Sequence, residues 1–445
     1  METLYQKSKI ISRVKKYFLP YIELMTKPSG KKLFLLLLGV LSMQTLTSIQ
    51  HIYKWFLEPI SKISKNAYYY LMRHTKLPVD EFAEVTIRKA LGLIEEKLRK
   101  LPVLLLIDDT LQEKFGTKFE CYSKMFDHAR HNGSSYLSGH CFVALTICVP
   151  MIIGNKIQYL NVPVRFRLRG KDESKLKIAS EMICDAMKVL KDTPMVILLC
   201  DSWYPKGEVI ETVKTYENLE LIANVRIDTA MFDLPVRTGK RGRPAKKGKE
   251  LSIYTDFTFN KIDKYFIAAR TVLTSLFGEN PIYMTLTTTD TDNHKAYRLF
   301  LSTVFPDDLN SLFTGYEHII SADKEPLPWL FPLRLYSFRW NIETLFFELK
   351  SFWSFGLYML RSKNGVENFV NIISLVYSCA KILPLSDSAF SSLIDSSPQV
   401  SKYAIGDRIR KELFFADFIS KHENLFISAS LFDLFDFSDP FIFSA

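Results

Sequence analysis

Two short runs of wholly apolar residues, each closed by aspartate, constrain this chain most. Val103, Leu104, Leu105, Leu106 and Ile107 run straight into Asp108 and Asp109, and Met195 to Cys200 runs into Asp201. A strand with one wet face alternates apolar and polar residues; a run without alternation needs cover on both faces. Both runs read as buried strands of a sheet flanked by helices. A carboxylate at the end of such a strand is poorly solvated unless it is paired or holds a metal. One of the adjacent pair Asp108 and Asp109 can be an ordinary turn residue.

Tyr336 to Lys350, YSFRWNIETLFFELK, reads as a helix. At about 100° per residue, Tyr336, Arg339, Glu343 and Lys350 fall within roughly 60° of one another. Phe338, Ile342, Leu345 and Leu349 form an apolar stripe on the opposite side. One face is built for burial. The other aligns a phenol, a guanidinium, a carboxylate and an ammonium, either as a solvated face or as a metal or phosphate site. If Tyr336, Arg339 and Lys350 face outward, they bear little of the packing.

Those four residues match the spacing Y-x2-R-x3-E-x6-K without a gap. The chain here resembles bacterial insertion-sequence transposases of the DDE type, the fourth insertion-sequence family. LLLIDDTLQEK, ending at Lys114, resembles that family's first aspartate strand, and VILLCDSWYPKGEVIETV, ending at Val213, its second. The resemblance runs from about Val103 to Leu383. It implies an α/β, RNase H-like mixed sheet flanked by helices and interrupted by a β-rich insertion, with an all-helical N-terminal region. It further implies that Asp108, Asp201 and Glu343 are the catalytic metal ligands, Asp108 because the family has an aspartate two residues before a threonine. Asp109 is the alternative. The cofactor implied is two magnesium or manganese ions, which suit all-oxygen ligand sets. The reaction implied is nicking of double-stranded DNA at an element's ends and transfer of the 3′-hydroxyl to target DNA. Tyr336, Arg339 and Lys350 would grip phosphates. Some members cut through a DNA hairpin, for which Trp203 and Trp340 are candidates to receive a flipped base; either can equally be core. A homodimer on DNA in the bacterial cytoplasm, at the nucleoid, completes the expectation.

In chain order, residues 1–100 read as helices: Lys31 to Tyr53, Ser61 to His74 with Ser61 as cap, and Pro78 to Arg99. Lys62, Lys65, Arg73, His74 and Lys76 give the region a basic side suited to DNA ends, or simply to solvent. Residues 101–225 hold the first part of the catalytic core. Within it, Glu113 to His140 reads as a polar loop. Cys121, His128, His131 and His140 in it follow no standard zinc spacing, and the histidines belong beside DNA or in solvent. Cys141 to Ile153 and Lys156 to Phe166 form a hairpin at Gly154-Asn155. Arg165, Arg167, Arg169 and Lys171 make a phosphate-facing row at its end. Ser174 to Leu190 is an amphipathic helix, Pro205 to Tyr216 another, and Leu219 to Val225 a strand.

Residues 226–308 form the β-rich insertion, with strands at Leu251 to Thr258, Lys264 to Val272, Ile282 to Thr288 and Tyr297 to Ser302. Its basic loop, Lys240 to Lys249, offers Lys240, Arg241, Arg243, Lys246 and Lys247 to a DNA backbone, or serves as a linker. Residues 309–385 complete the core with the Glu343 helix and an apolar helix from Gly365 to Leu383. In 386–445, Ser386 to Ser397 reads as a linker and the Phe-rich end as a partner or DNA contact, or as a tail folded on the core.

A net charge of +10 favours a polyanionic partner or a membrane surface. The most apolar run, Leu33 to Met43, falls short of the roughly 20 residues of a membrane span, so no membrane is expected. The six cysteines show no C-x-x-C pair and read as free thiols in a reducing compartment. Three other readings stay open beside the transposase: a DNA-binding relative without catalysis, a hydrolytic nuclease of the same fold and, more weakly, a membrane-associated protein using the Leu33 to Met43 run.

Overall fold

The structure, a computed structural model, describes residues 9–116, 118–127, 133–153, 156–236, 245–320 and 326–421. The chain opens with α1 (Lys9–Ile22), α2 (Lys27–Ser42), three short helical pieces (Ile49–Ile52, Tyr53–Leu57, Glu58–Ile60), α3 (Lys65–Arg73) and α4 (Val79–Leu91). Lys31 to Tyr53 is therefore not one helix. α2 stops where Met43 becomes extended, and Ser48 recaps the chain by accepting from the His51 amide. Leu46 is buried in the gap and its amide donates to Ser354 Oγ at 3.0 Å, so a tertiary bond replaces the helical one. Pro78 to Arg99 is likewise a continuous helix only as far as Leu91. Ser61 caps nothing, because α3 starts at Lys65.

β1 (Val103–Glu113) follows, then β2 (Ser123–Phe126), β3 (Tyr136–Ile153), β4 (Lys156–Leu168), α5 (Lys175–Leu190), β5 (Val196–Cys200), α6 (Gly207–Thr215) and β6 (Leu219–Val225). Glu113 to His140 is thus only partly loop, since β1 and β3 extend into it from either end. Ser174 caps α5 by accepting from the Lys177 amide, as Ser does at helix starts. In the sheet β4, β3, β1, β5 and β6 lie in that order. β4–β3 and β3–β1 are antiparallel, β1–β5 and β5–β6 parallel. This mixed α/β arrangement is compatible with an RNase H-like fold.

Beyond β6 come β7 (Met231–Phe232), β8 (Asn260–Ile262), β9 (Tyr265–Thr274), β10 (Ile282–Thr288) and β11 (Arg298–Ser302). β11 pairs antiparallel with β6, and β10 and β9 follow it, so this segment widens the same sheet. Leu251 to Thr258 is not a strand. Asp256 accepts from the Ser252 amide at 2.9 Å and the Lys249 ammonium at 2.7 Å, which closes a turn there.

The described residues end with α7 (Pro306–Phe313), α8 (Phe331–Tyr336), a 3₁₀ turn (Ser337–Arg339), α9 (Trp340–Phe352), α10 (Lys363–Ser386) and α11 (Pro398–Lys421). α10 is the one described helix long and apolar enough to cross a membrane, and most of it is buried against β4, α3, α4 and α11. α2 packs on α11 at close range: a Cβ at Gly406 would stand 2.4 Å from the Leu41 carbonyl oxygen. The N-terminal helices thus share one apolar core with the sheet and α10. Ser386 to Ser397 is not a free linker, because a 3₁₀ turn (Ser388–Leu393) buries Phe390 completely. The Phe-rich end lies outside the described residues.

Candidate active site

The register of the two parallel strands builds the site. Ile107 is paired with Cys200, so Asp108 and Asp201 are the next residues on neighbouring strands. β5 ends there, and the carboxyl ends of parallel strands are where such sheets bind ligands. The 3₁₀ turn and α9 cross this edge. Arg339 Nη1 donates to Asp108 Oδ2 at 3.1 Å, and its Nη2 donates to Glu343 Oε1. The structure therefore brings Asp108, Asp201, Arg339 and Glu343 together. Burial, with the Asp201 and Asp109 carboxylates, pushes the Asp108 pKa up to about 8 against the pull of Arg339. Burial also raises Asp201, whose Oδ1 accepts the Trp203 amide at 3.0 Å.

Arg339 is not a surface residue. Its side chain is 13% exposed and that of Asp108 14%, while Glu343 is 36% exposed. Desolvation opposes its charge, yet Tyr336, Glu343 and Asp108 outweigh that and raise its pKa. Its Nε is buried without a partner. Lys350 also turns inward, donating to the Leu111 carbonyl at 2.8 Å, and burial lowers its pKa. Tyr336 stacks edge-on against Phe300 with centroids 4.9 Å apart. The expectation that this polar face bears little of the packing is corrected: tertiary folding lays it against β1.

Among the described residues no three His, Cys, Asp or Glu side chains stand close enough to hold one ion. Arg339 occupies one oxygen of Asp108 and one of Glu343. The donor chemistry still fits a hard cation: the Asp201 carboxylate helps raise the proton affinity of Asp108, and Arg339 joins Asp108 to Glu343.

Asp109 takes different partners, Lys175, Tyr204 and Cys141. Nothing in the sequence singled out Lys175 or Tyr204, whose neighbours in the chain look like an ordinary helix start and a strand-end loop. Trp203 is 47% exposed, with the Lys175 and Lys206 ammonium groups 4.5 and 4.0 Å from its ring centroid. Trp340 is 63% exposed, so it is not core. In the basic loop, Lys246 pairs with Glu279 and Lys247 lies over Phe232, while Lys240, Arg241 and Arg243 fall outside the described residues.

Of the expected phosphate-facing row Lys171 is exposed, but the three arginines are engaged within the protein. Arg165 is buried and paired with Asp80 at 3.0 Å, Arg167 pairs with Glu181, and Arg169 donates to the Glu173 carbonyl at 2.8 Å. His140 is neither in solvent nor beside DNA. It is fully buried, within 2.6 Å of the Tyr358 hydroxyl and 3.0 Å of the Glu120 carbonyl. His128 and His131 lie outside the described residues.

Burial holds the His140 pKa down at about 4. An unfolded histidine titrates near 6.5, so the unfolded chain binds more protons between those values. Stability is full above about pH 6.5 and is lost as pH falls toward about 4, on the order of 2 kcal/mol by pH 5. Urea unfolding at pH 7 and pH 5 should show that loss, and His140→Gln should flatten it. Equal pH slopes in the two proteins would refute the assignment.

A family model described as DDE superfamily endonuclease matches residues 23–261. That range contains Asp108 and Asp201 and ends before Glu343. Comparison with curated proteins finds no match.

Proposed function

The chain belongs to the DDE superfamily of endonucleases, and from that premise we propose that it is a transposase of the fourth insertion-sequence family. It nicks double-stranded DNA at an element's ends and transfers the 3′-hydroxyls to target DNA. The observation that carries the reading is the constellation of Asp108, within β1, and Asp201, just past the end of the neighbouring β5, with Arg339 joining Asp108 to Glu343.

Asp108, Asp201 and Glu343 would hold two magnesium or manganese ions. Bound there, such ions activate a water or 3′-hydroxyl and stabilise the leaving oxygen of a phosphodiester. The protein's own residues do the rest. Asp108 presents its oxygens from within β1 and Asp201 from the loop just past β5. Arg339 bonds to Asp108 and Glu343 in the metal-free protein and would turn its planar donor fork to a DNA phosphate. Lys350 ties α9 to β1 and Tyr336 packs the end of α8 on β11, where both would lie beside the same phosphates. Trp203 and Trp340 offer aromatic faces to a displaced base. Lys62, Arg73 and Lys76, exposed beside α3, and the Lys240 to Lys249 loop extend the contact along the backbone in a dimer.

The test is a plasmid carrying the element's ends. Magnesium or manganese should give nicks with 3′-hydroxyl ends and joined products, and a chelator should abolish them. Nicks without joining would make the protein a hydrolytic nuclease. Tight DNA binding with no cleavage in either metal would make it a binding protein.

A further inference from the structure

Asp201 is the first residue past the end of β5, and the next regular element, α6, begins at Gly207. The sheet's hydrogen bonds no longer hold Asp201, so the loop from Asp201 to Lys206 must. Two independent links tie that loop to Asp109. In the first, the Tyr204 hydroxyl donates to Asp109 Oδ1 at 3.0 Å. Tyr204 is 0% exposed, so losing this acceptor would leave its hydroxyl buried and unpaired. In the second, the Lys175 ammonium at the start of α5 donates to the same oxygen at 2.8 Å and also stands 4.5 Å from the Trp203 ring centroid. Trp203 in turn donates its amide to Asp201 Oδ1 at 3.0 Å. The Cys141 thiol donates to the other oxygen, Oδ2, at 3.4 Å.

We propose that Asp109 is a positioning residue that clamps the Asp201 to Lys206 loop, through Tyr204 and through Lys175 and Trp203, and so holds the Asp201 carboxylate beside Asp108. The adjacent aspartates then divide the work. Side chains of successive strand residues point to opposite faces, so Asp108 reaches α9 while Asp109 reaches α5 and the loop. The inference rests on the proposed function only in calling Asp201 a metal ligand; the clamp itself is independent of it.

Hydrogen exchange on the metal-free protein reads the clamp directly. Asp109→Asn keeps an oxygen for Tyr204 but loses the charge that fixes Lys175, and should speed exchange at 201–206 several-fold; Tyr204→Phe should do the same. Manganese affinity, by titration calorimetry, should fall about 10–100-fold in Asp109→Ala, as outer carboxylates typically show. It should fall less in Asp109→Asn, and the effects of Asp109→Ala and Tyr204→Phe should be non-additive, because both break the Tyr204–Asp109 link. Unchanged exchange at 201–206 in both Asp109→Asn and Tyr204→Phe overturns the proposal. So does abolished manganese binding in Asp109→Ala with Tyr204→Phe and Lys175→Met at wild-type affinity, which would make Asp109 a ligand. If the wild type binds no manganese but the loop loosens as expected, the clamp stands and the metal reading fails.

Discussion

Asp108→Asn, Asp201→Asn and Glu343→Ala should each lose strand cleavage by at least about three orders of magnitude, the scale seen when one member of a catalytic unit is removed. Asp108→Asn should do so without loss of stability. Its carboxyl titrates at about 8 because burial and Asp201 work against its charge. A carboxyl whose folded pKa is raised costs stability as pH rises from about 4 toward 8. The amide removes that cost and keeps a hydrogen-bond acceptor for Arg339. Plasmid nicking and thermal melting at pH 7.5, on the same preparations, check both halves. Full cleavage in Asp108→Asn with loss in Asp109→Ala would show that the neighbouring aspartate is the ligand.

Arg339→Ala and Leu345→Ala separate the two sides of α9. Leu345 is fully buried, so its truncation should cost about 2–5 kcal/mol while leaving cleavage per folded molecule within a few-fold. A surface arginine would cost under about 0.5 kcal/mol. Arg339 bridges two carboxylates, one of them largely buried, and its removal should cost about 1–3 kcal/mol in metal-free buffer, below the value for a fully buried pair because Glu343 is partly solvated. Magnesium should recover part of that loss, since a cation then supplies the missing charge, but cleavage should stay impaired. Arg339→Ala melting like wild type without metal would mean that the guanidinium is free to face DNA in the resting protein.

The buried strands were legible because absence of alternation has one physical meaning, and β5 and β10 lie where their apolar residues put them. α5 was legible from its serine cap and its 3.6-residue stripe. The Glu343 helix was legible except at Ser337–Arg339, where the chain tightens into a 3₁₀ turn. Leu251 to Thr258 shows the converse. Its apolar residues suggest a strand, but the Asp256 carboxylate satisfies backbone and lysine donors locally and closes a turn there. Phe390 was hidden in a Ser- and Asp-rich segment whose composition says linker, because one buried ring outweighs the polar residues around it.

By itself the sequence determined which segments are buried and that three carboxylates and one arginine recur at strand ends and along one helix face. Those are local properties, set by side-chain periodicity over a few residues. Only the tertiary structure decided which partner each charge takes. Arg339 meets Asp108 across 231 residues of chain and Lys350 meets the Leu111 carbonyl across 239. Arg165 was drawn from its row to Asp80, 85 residues away. A charge removed from water must find its partner wherever folding puts one, and no spacing along the chain encodes that meeting.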